Sequence, residues 1–279
     1  MLAVGIILGI TTALLKGIDT MMNKSLMGTT SAIDHSLYRI IFVIPYLGIA
    51  ALINWNLQKE CIVPLIAYGV IEAVNILFHQ YAIKSLNPVH AEMLSKSKSL
   101  LAYILSLVLL IESVSISGVC GIILFLAGML LTIDYKSLNP KEFTDWKGYL
   151  FEIISVLART IKPFILRDVL IKNIISNETL AFLSMIVAFV VIFIVFRPKM
   201  SFKQIHVGKY FLQASVVGAS MITSGYAVLY AGAVLSSMLE NCSVFFIMLI
   251  MLIMYKKKEG AKIWIGALLT ILGTWINTM

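Results

Sequence analysis

The chain has 279 residues, of which 60% are hydrophobic and only 13% charged, with a mean hydropathy of +0.96. A soluble domain of this size carries roughly twice that charged fraction, so a soluble fold is excluded. The formal net charge of +8 does not mark a nucleic-acid binder, because the lysines stand in or between apolar runs and form no solvated basic face.

Apolar runs of about twenty residues, long enough to cross a hydrocarbon core as helices, recur from end to end. In chain order they fall at 3–22, 36–54, 64–83, 91–111 and 117–133. The break at 134–147, DYKSLNPKEFTDWK, holds mixed charges and an Asn-Pro turn without an apolar period. Five more runs follow at 148–169, 179–196, 209–230, 233–255 and 263–278. The expected fold is an all-α integral membrane protein of ten transmembrane helices, with the lipid bilayer as a partner and a multi-pass place in a cell membrane of the prokaryotic plasma-membrane kind.

Several runs carry charges on one helical face. The first has Thr12, Lys16, Asp19 and Asn23, and the second carries Arg39. The third aligns Tyr68, Glu72, Asn75 and His79, and the fourth aligns Glu92, Lys96, Ser99 and Tyr103. Lys98 is rotated roughly 200° from Lys96 onto a mostly apolar face, where it snorkels or pairs with a neighbouring helix. In the sixth run Glu152, Ser155, Arg159 and Lys162 align, and Pro163 leaves the Arg159 carbonyl without its helical donor. The ninth has Ser236, Glu240 and Ser243, with Asn241 beside them. One charge near the bilayer centre costs about 2.5 to 3.5 kcal/mol, so these groups need partners or water.

The stripes are read as lining a shared polar cavity; the other reading is buried interhelical pairing, with Lys96 bound to Glu92 on its own helix and His79 a hydrogen-bonded core residue. The candidate substrate-binding residues are Lys16, Asp19, Arg39, Glu72, His79, Glu92, Lys96, Tyr103, Arg159, Lys162, Glu240 and Asn241. Cys61, Cys120 and Cys242 have no metal-ligand spacing and read as small packing residues. No metal or other cofactor is expected.

The two halves resemble each other. YAIKSLNPVHAEML (81–94) lies over YAVLYAGAVLSSML (226–239), and GIILFLAG (121–128) over GALLTILG (266–273) at the same offset. Glycines seven apart share a helix face and let a neighbouring helix approach closely. A nearly equal offset sets Lys16, Asp19 and Lys24 over Arg159, Lys162 and Arg167. The expected organisation is a first five-helix repeat at 1–133, a connecting loop at 134–147 and a second repeat at 148–279, inverted because each half has an odd number of spans.

The segment ALLKGIDTMMNKSLM (13–27), the Tyr38-Arg39 pair and the run from Tyr81 to Leu131 together resemble the ten-helix, EamA-like branch of the drug/metabolite transporter superfamily. The resemblance implies a secondary transporter with its substrate between the repeats. Lys16 stands where members usually carry an aromatic, Ser99 replaces a common proline, and Lys96 and Lys98 replace small or apolar residues. The charges in the spans have a slight cationic excess, which points to a small-molecule substrate that is an organic anion or a zwitterion, such as an amino acid or a phosphorylated metabolite. A lipid-linked phosphate translocator or accessory membrane subunit is the alternative. No HExxH, paired acidic metal motif or Ser-His constellation stands in the spans, so an enzyme is not expected.

Two arguments about orientation collide. The resemblance puts both termini in the cytoplasm, whereas the basic breaks at 134–147, 197–209 and 256–262 lie opposite the termini and by the positive-inside rule face the cytoplasm themselves. The charge bias is read from this chain, so the termini are expected to face outward.

Overall fold

The computed structural model describes residues 1–26, 30–85, 88–109, 116–131, 146–198, 205–255 and 260–276. Within them the chain is almost entirely helical: α1 (Leu2–Leu26), α2 (Ala32–Ile53), α3 (Ile62–Ser85), α4 (Pro88–Val108), α5 (Ile116–Leu131), α6 (Trp146–Ile171), α7 (Asn177–Phe196), α8 (Val207–Ala231), α9 (Ala233–Asn241), α10 (Ser243–Tyr255) and α11 (Ala261–Ile276). Backbone groups in hydrocarbon must be satisfied within the segment, and helices do this. Side chains cap the exceptions: Ser31 accepts from the Asp34 N–H at the start of α2, and Ser176 accepts from the Thr179 N–H at the start of α7.

Among the described residues, six helical stretches combine the length and hydropathy of a membrane span: Leu2–Asn23, Ala32–Ile53, Lys59–Ser85, Asn177–Phe196, Val207–Ala231 and Ala233–Ile250. Helices α4 and α6 are as long, but they carry the densest charge, of which Lys96, Lys98 and Glu152 are buried. Glu152 on α6 is fully buried while the next residue, Ile153, is 48% exposed. Ile194 and Phe211 are exposed apolar residues of the same kind. Polar inside and apolar outside is the distribution lipid requires, and the protein is a multi-pass membrane protein.

Helix α1 packs with α8, α3 with α6, α2 with α7, α4 with α9, and α5 with α11, and α3 and α4 make further extensive contacts with α7 and α6. The α1–α8, α3–α6, α2–α7 and α4–α9 pairs run antiparallel. Thr12 of α1 bonds Thr223 near the end of α8 at 2.8 Å, while Asn23, farther along α1, shares His35 with Tyr210 at the start of α8. The apolar core under the polar centre joins Leu37, Ile40 and Val43 of α2, Ala73 and Leu77 of α3, Met185 and Ala188 of α7, and Val217 of α8.

Two sequence expectations meet particular outcomes. Gly273 of α11 sits where an added Cβ would lie 2.5 Å from the Gly121 carbonyl oxygen and from the Phe125 nitrogen of α5, which is the close approach expected of the repeated glycines. The single run at 233–255 is instead two helices, interrupted at Cys242, whose N–H bonds the Leu239 carbonyl at 3.0 Å in a tightened turn.

Candidate functional site

The polar stripes of α1, α3, α4, α6, α8 and α9 converge near the middle of the bundle. At the centre of one group stands Glu240 of α9. Its Oε2 accepts from the Lys16 ammonium of α1 at 2.6 Å and from the Lys98 ammonium of α4, and its Oε1 accepts from the Ser224 hydroxyl of α8 at 2.7 Å. Four helices thus share one carboxylate. Lys16 stands in mid-helix, yet 39% of its side chain is exposed. Its flank is left uncovered by the described side chains.

Facing this group is Arg159 of α6. Its Nε donates to Asn75 Oδ1 of α3 at 2.6 Å, and another of its nitrogens donates to the Ser95 hydroxyl of α4. Ser155, one turn earlier on α6, donates to the same Asn75 oxygen at 3.2 Å. Among the described residues no carboxylate lies within ion-pair distance of Arg159, although it is close enough to Lys16 and Lys98 to repel both. One turn along α6, Lys162 pairs with Glu72 of α3, and its ammonium lies 5.0 Å from the centre of the Tyr68 ring.

Two further charged contacts lie toward the end of the bundle where α2, α6 and α8 begin. Arg39 of α2 pairs with Asp19 of α1, whose other oxygen accepts from Gln213 of α8 at 2.8 Å. His79 Nδ1 of α3 lies 2.9 Å from Glu152 Oε2 of α6.

Lys96 of α4 is buried and donates to the Ser243 hydroxyl at the break between α9 and α10, at 3.1 Å. Asn241 donates to the Ser99 hydroxyl, so α4 side chains fill that break on both sides. Glu92 lies on α4, but its side chain falls outside the described residues. Tyr103 packs its ring against Val234 and Met238, apart from the charged groups, and its hydroxyl has no hydrogen-bond partner among the described residues.

The candidate residues therefore separate into the Lys16–Glu240 group, the Arg159–Lys162–Glu72 group, the Asp19–Arg39 and His79–Glu152 pairs, and the Lys96–Asn241 contacts around the helix break. Of the two fates open to Lys98 from its helical angle, pairing is the one found, and its partner Glu240 brings it into the centre of the site. Ser95, Ser224 and Gln213 also belong to these contacts. Nothing in their local sequence distinguishes them from other small polar residues in apolar helices.

Residues 3–134 match the model of the EamA-like transporter family, whose members are membrane transporters of small molecules. One crystal structure of a protein superposes with a TM-score of 0.76 over 99% of this chain and 98% of its own, at 17% sequence identity. At that identity the likeness is one of fold. No curated protein matches the sequence.

Proposed function

We propose that this chain, whose residues 3–134 belong to the EamA-like transporter family, is a secondary transporter that moves a small organic anion or zwitterion by alternating access through a central charged cavity of a cell membrane. The observation that carries the reading is Arg159: a guanidinium in mid-helix whose described partners, Asn75 and Ser95, are both neutral. A charge inside a membrane-spanning bundle is costly without a counter-charge, and a transporter tolerates it where substrate supplies one.

Packing supports the two-repeat organisation. Exchanging α1 with α6, α2 with α7, α3 with α8, α4 with α9 and α10, and α5 with α11 maps the α1–α8 contact onto α6–α3, and the α4–α6 contact onto α9–α1. The same exchange extends to side chains. Glu240 and Ser95 are equivalent under the repeat, as are Lys16 and Arg159, so the Lys16–Glu240 pair corresponds to the Arg159–Ser95 bond. The substrate then sits between equivalent helices, as in inverted-repeat carriers generally. Uptake of labelled anions and zwitterions into proteoliposomes tests the proposal. Arg159→Met should abolish uptake while the protein stays folded and monodisperse; uptake unchanged in that variant overturns the assignment.

A further inference from the structure

We infer that the substrate is a dianion, a dicarboxylate or a phosphate monoester, held between Arg159 on α6 and the lysines that share Glu240. The inference rests on the transport reading above and narrows its substrate class.

The argument is a census of charge. Glu72 is taken by Lys162 and also accepts from Asn75 at 3.4 Å. Glu240 is taken twice over at Oε2 and once, by Ser224, at Oε1. A substrate ammonium binding at Glu72 or Glu240 would therefore have to displace a lysine. An anion has the opposite reception. One carboxylate stands against the two ammoniums of Lys16 and Lys98, and the described partners of Arg159 are neutral, so the described side chains at this level carry a formal excess of two positive charges. Lys96 and Glu92, one turn apart on α4, are opposite charges and leave the count unchanged. The Asp19–Arg39 pair is likewise balanced. Glu152 lies two turns from Arg159 along α6, about 10 Å by helical rise, and its partner His79 lies one turn from Asn75 along α3, about 6 Å, between that carboxylate and this level.

The excess cations are also placed to act together. Lys16 and Arg159 stand on repeat-equivalent helices and repel one another, and a doubly charged ligand between them removes that repulsion. Arg159 presents a planar fork suited to two oxygens of one carboxylate or phosphate, with Asn75 and Ser95 fixing its plane. A phosphate monoester carries between one and a half and two negative charges near neutrality, close to the excess counted here.

The test is melting of the purified full-length protein against succinate, glycerol 3-phosphate, lactate, alanine and dioleoyl phosphatidic acid at matched ionic strength. Succinate or glycerol 3-phosphate should bind on the order of tenfold more tightly than lactate or alanine. In Lys98→Met, which leaves Glu240 with one ammonium, that preference should shrink toward unity while binding of the monoanion persists. Arg159→Met should lose both dianions, and Arg159→Lys should keep part of the binding if the first variant fails to fold. Alanine or lactate binding as tightly as the dianions overturns the inference and leaves the transport reading standing, as does a lack of response to both soluble dianions while proteoliposomes take up another metabolite. Stabilisation by phosphatidic acid alone keeps the doubly charged ligand but moves its source to a lipid headgroup, which overturns carriage of a soluble metabolite.

Discussion

Lys98 on α4 forms an ion pair with Glu240 on α9, a residue 142 positions later in the chain. Lys16 approaches the same oxygen from α1, so the three residues act as a unit. Removing the carboxylate leaves two ammoniums facing each other, that of Lys98 buried, whereas removing Lys98 leaves an intact Lys16–Glu240 pair. Breaking a buried pair by deleting one partner costs about 3 to 5 kcal/mol. Glu240→Gln should therefore lower the melting temperature of the purified protein clearly more than Lys98→Met. A larger loss in the lysine variant would mean that Lys16 does not hold the carboxylate.

The His79–Glu152 contact makes a separate prediction. Glu152 is fully buried, its Oε2 faces His79, and its Oε1 has no hydrogen-bond partner among the described residues. His79→Ala removes the one described partner and should cost about 3 kcal/mol or more. His79→Gln, which can keep a donor in place, should recover much of that loss. Equal melting temperatures for the two variants would show that Glu152 does not depend on a donor at position 79.

How far the sequence reaches is visible in these same residues. Hydropathy locates the helices because lipid forces backbone hydrogen bonds into each segment, and the 3.6-residue period places Lys16, Glu72, Arg159 and Glu240 on inward faces. Angular position on one helix cannot choose a partner on another, so Lys98 looks peripheral until α9 is packed against α4. The break at Cys242 is equally invisible: SVFFIMLIMLIMY is apolar without interruption, and it is the insertion of Lys96 and Ser99 beside Ser243 and Asn241 that occupies the turn. His35 is a further case. It is fully buried between Asn23 and Tyr210, an arrangement of three helices that no local pattern encodes.

The glycine contact between α5 and α11 is predicted to be structural. A Cβ at Gly273 would meet the backbone of Gly121 and Phe125 at 2.5 Å, and backbone cannot rotate out of the way. Gly273→Ala should destabilise the protein by about 1 to 3 kcal/mol, the usual cost of overpacking. Gly208, near the start of α8, has nothing within 4 Å of its added Cβ, so Gly208→Ala should be neutral or slightly stabilising in the same melt. Equal effects at the two positions would show that α5 and α11 are free to separate.

The antiparallel packing fixes which helix ends lie together, and with them the last prediction. Lys147 near the start of α6, Arg197 after α7, Lys209 in the first turn of α8 and Lys262 in the first turn of α11 all fall at the end of the bundle opposite Met1. Basic residues flanking spans are held on the cytoplasmic side, so this end should face the cytoplasm and Met1 the exterior. Lys262 is exposed, which makes it a usable reporter. In a background with Cys61, Cys120 and Cys242 replaced, Lys262→Cys should resist an impermeant thiol reagent added to intact cells and react once the membrane is opened. Labelling of intact cells at that position would place the basic end outside and show that the charge bias does not set the orientation of this chain.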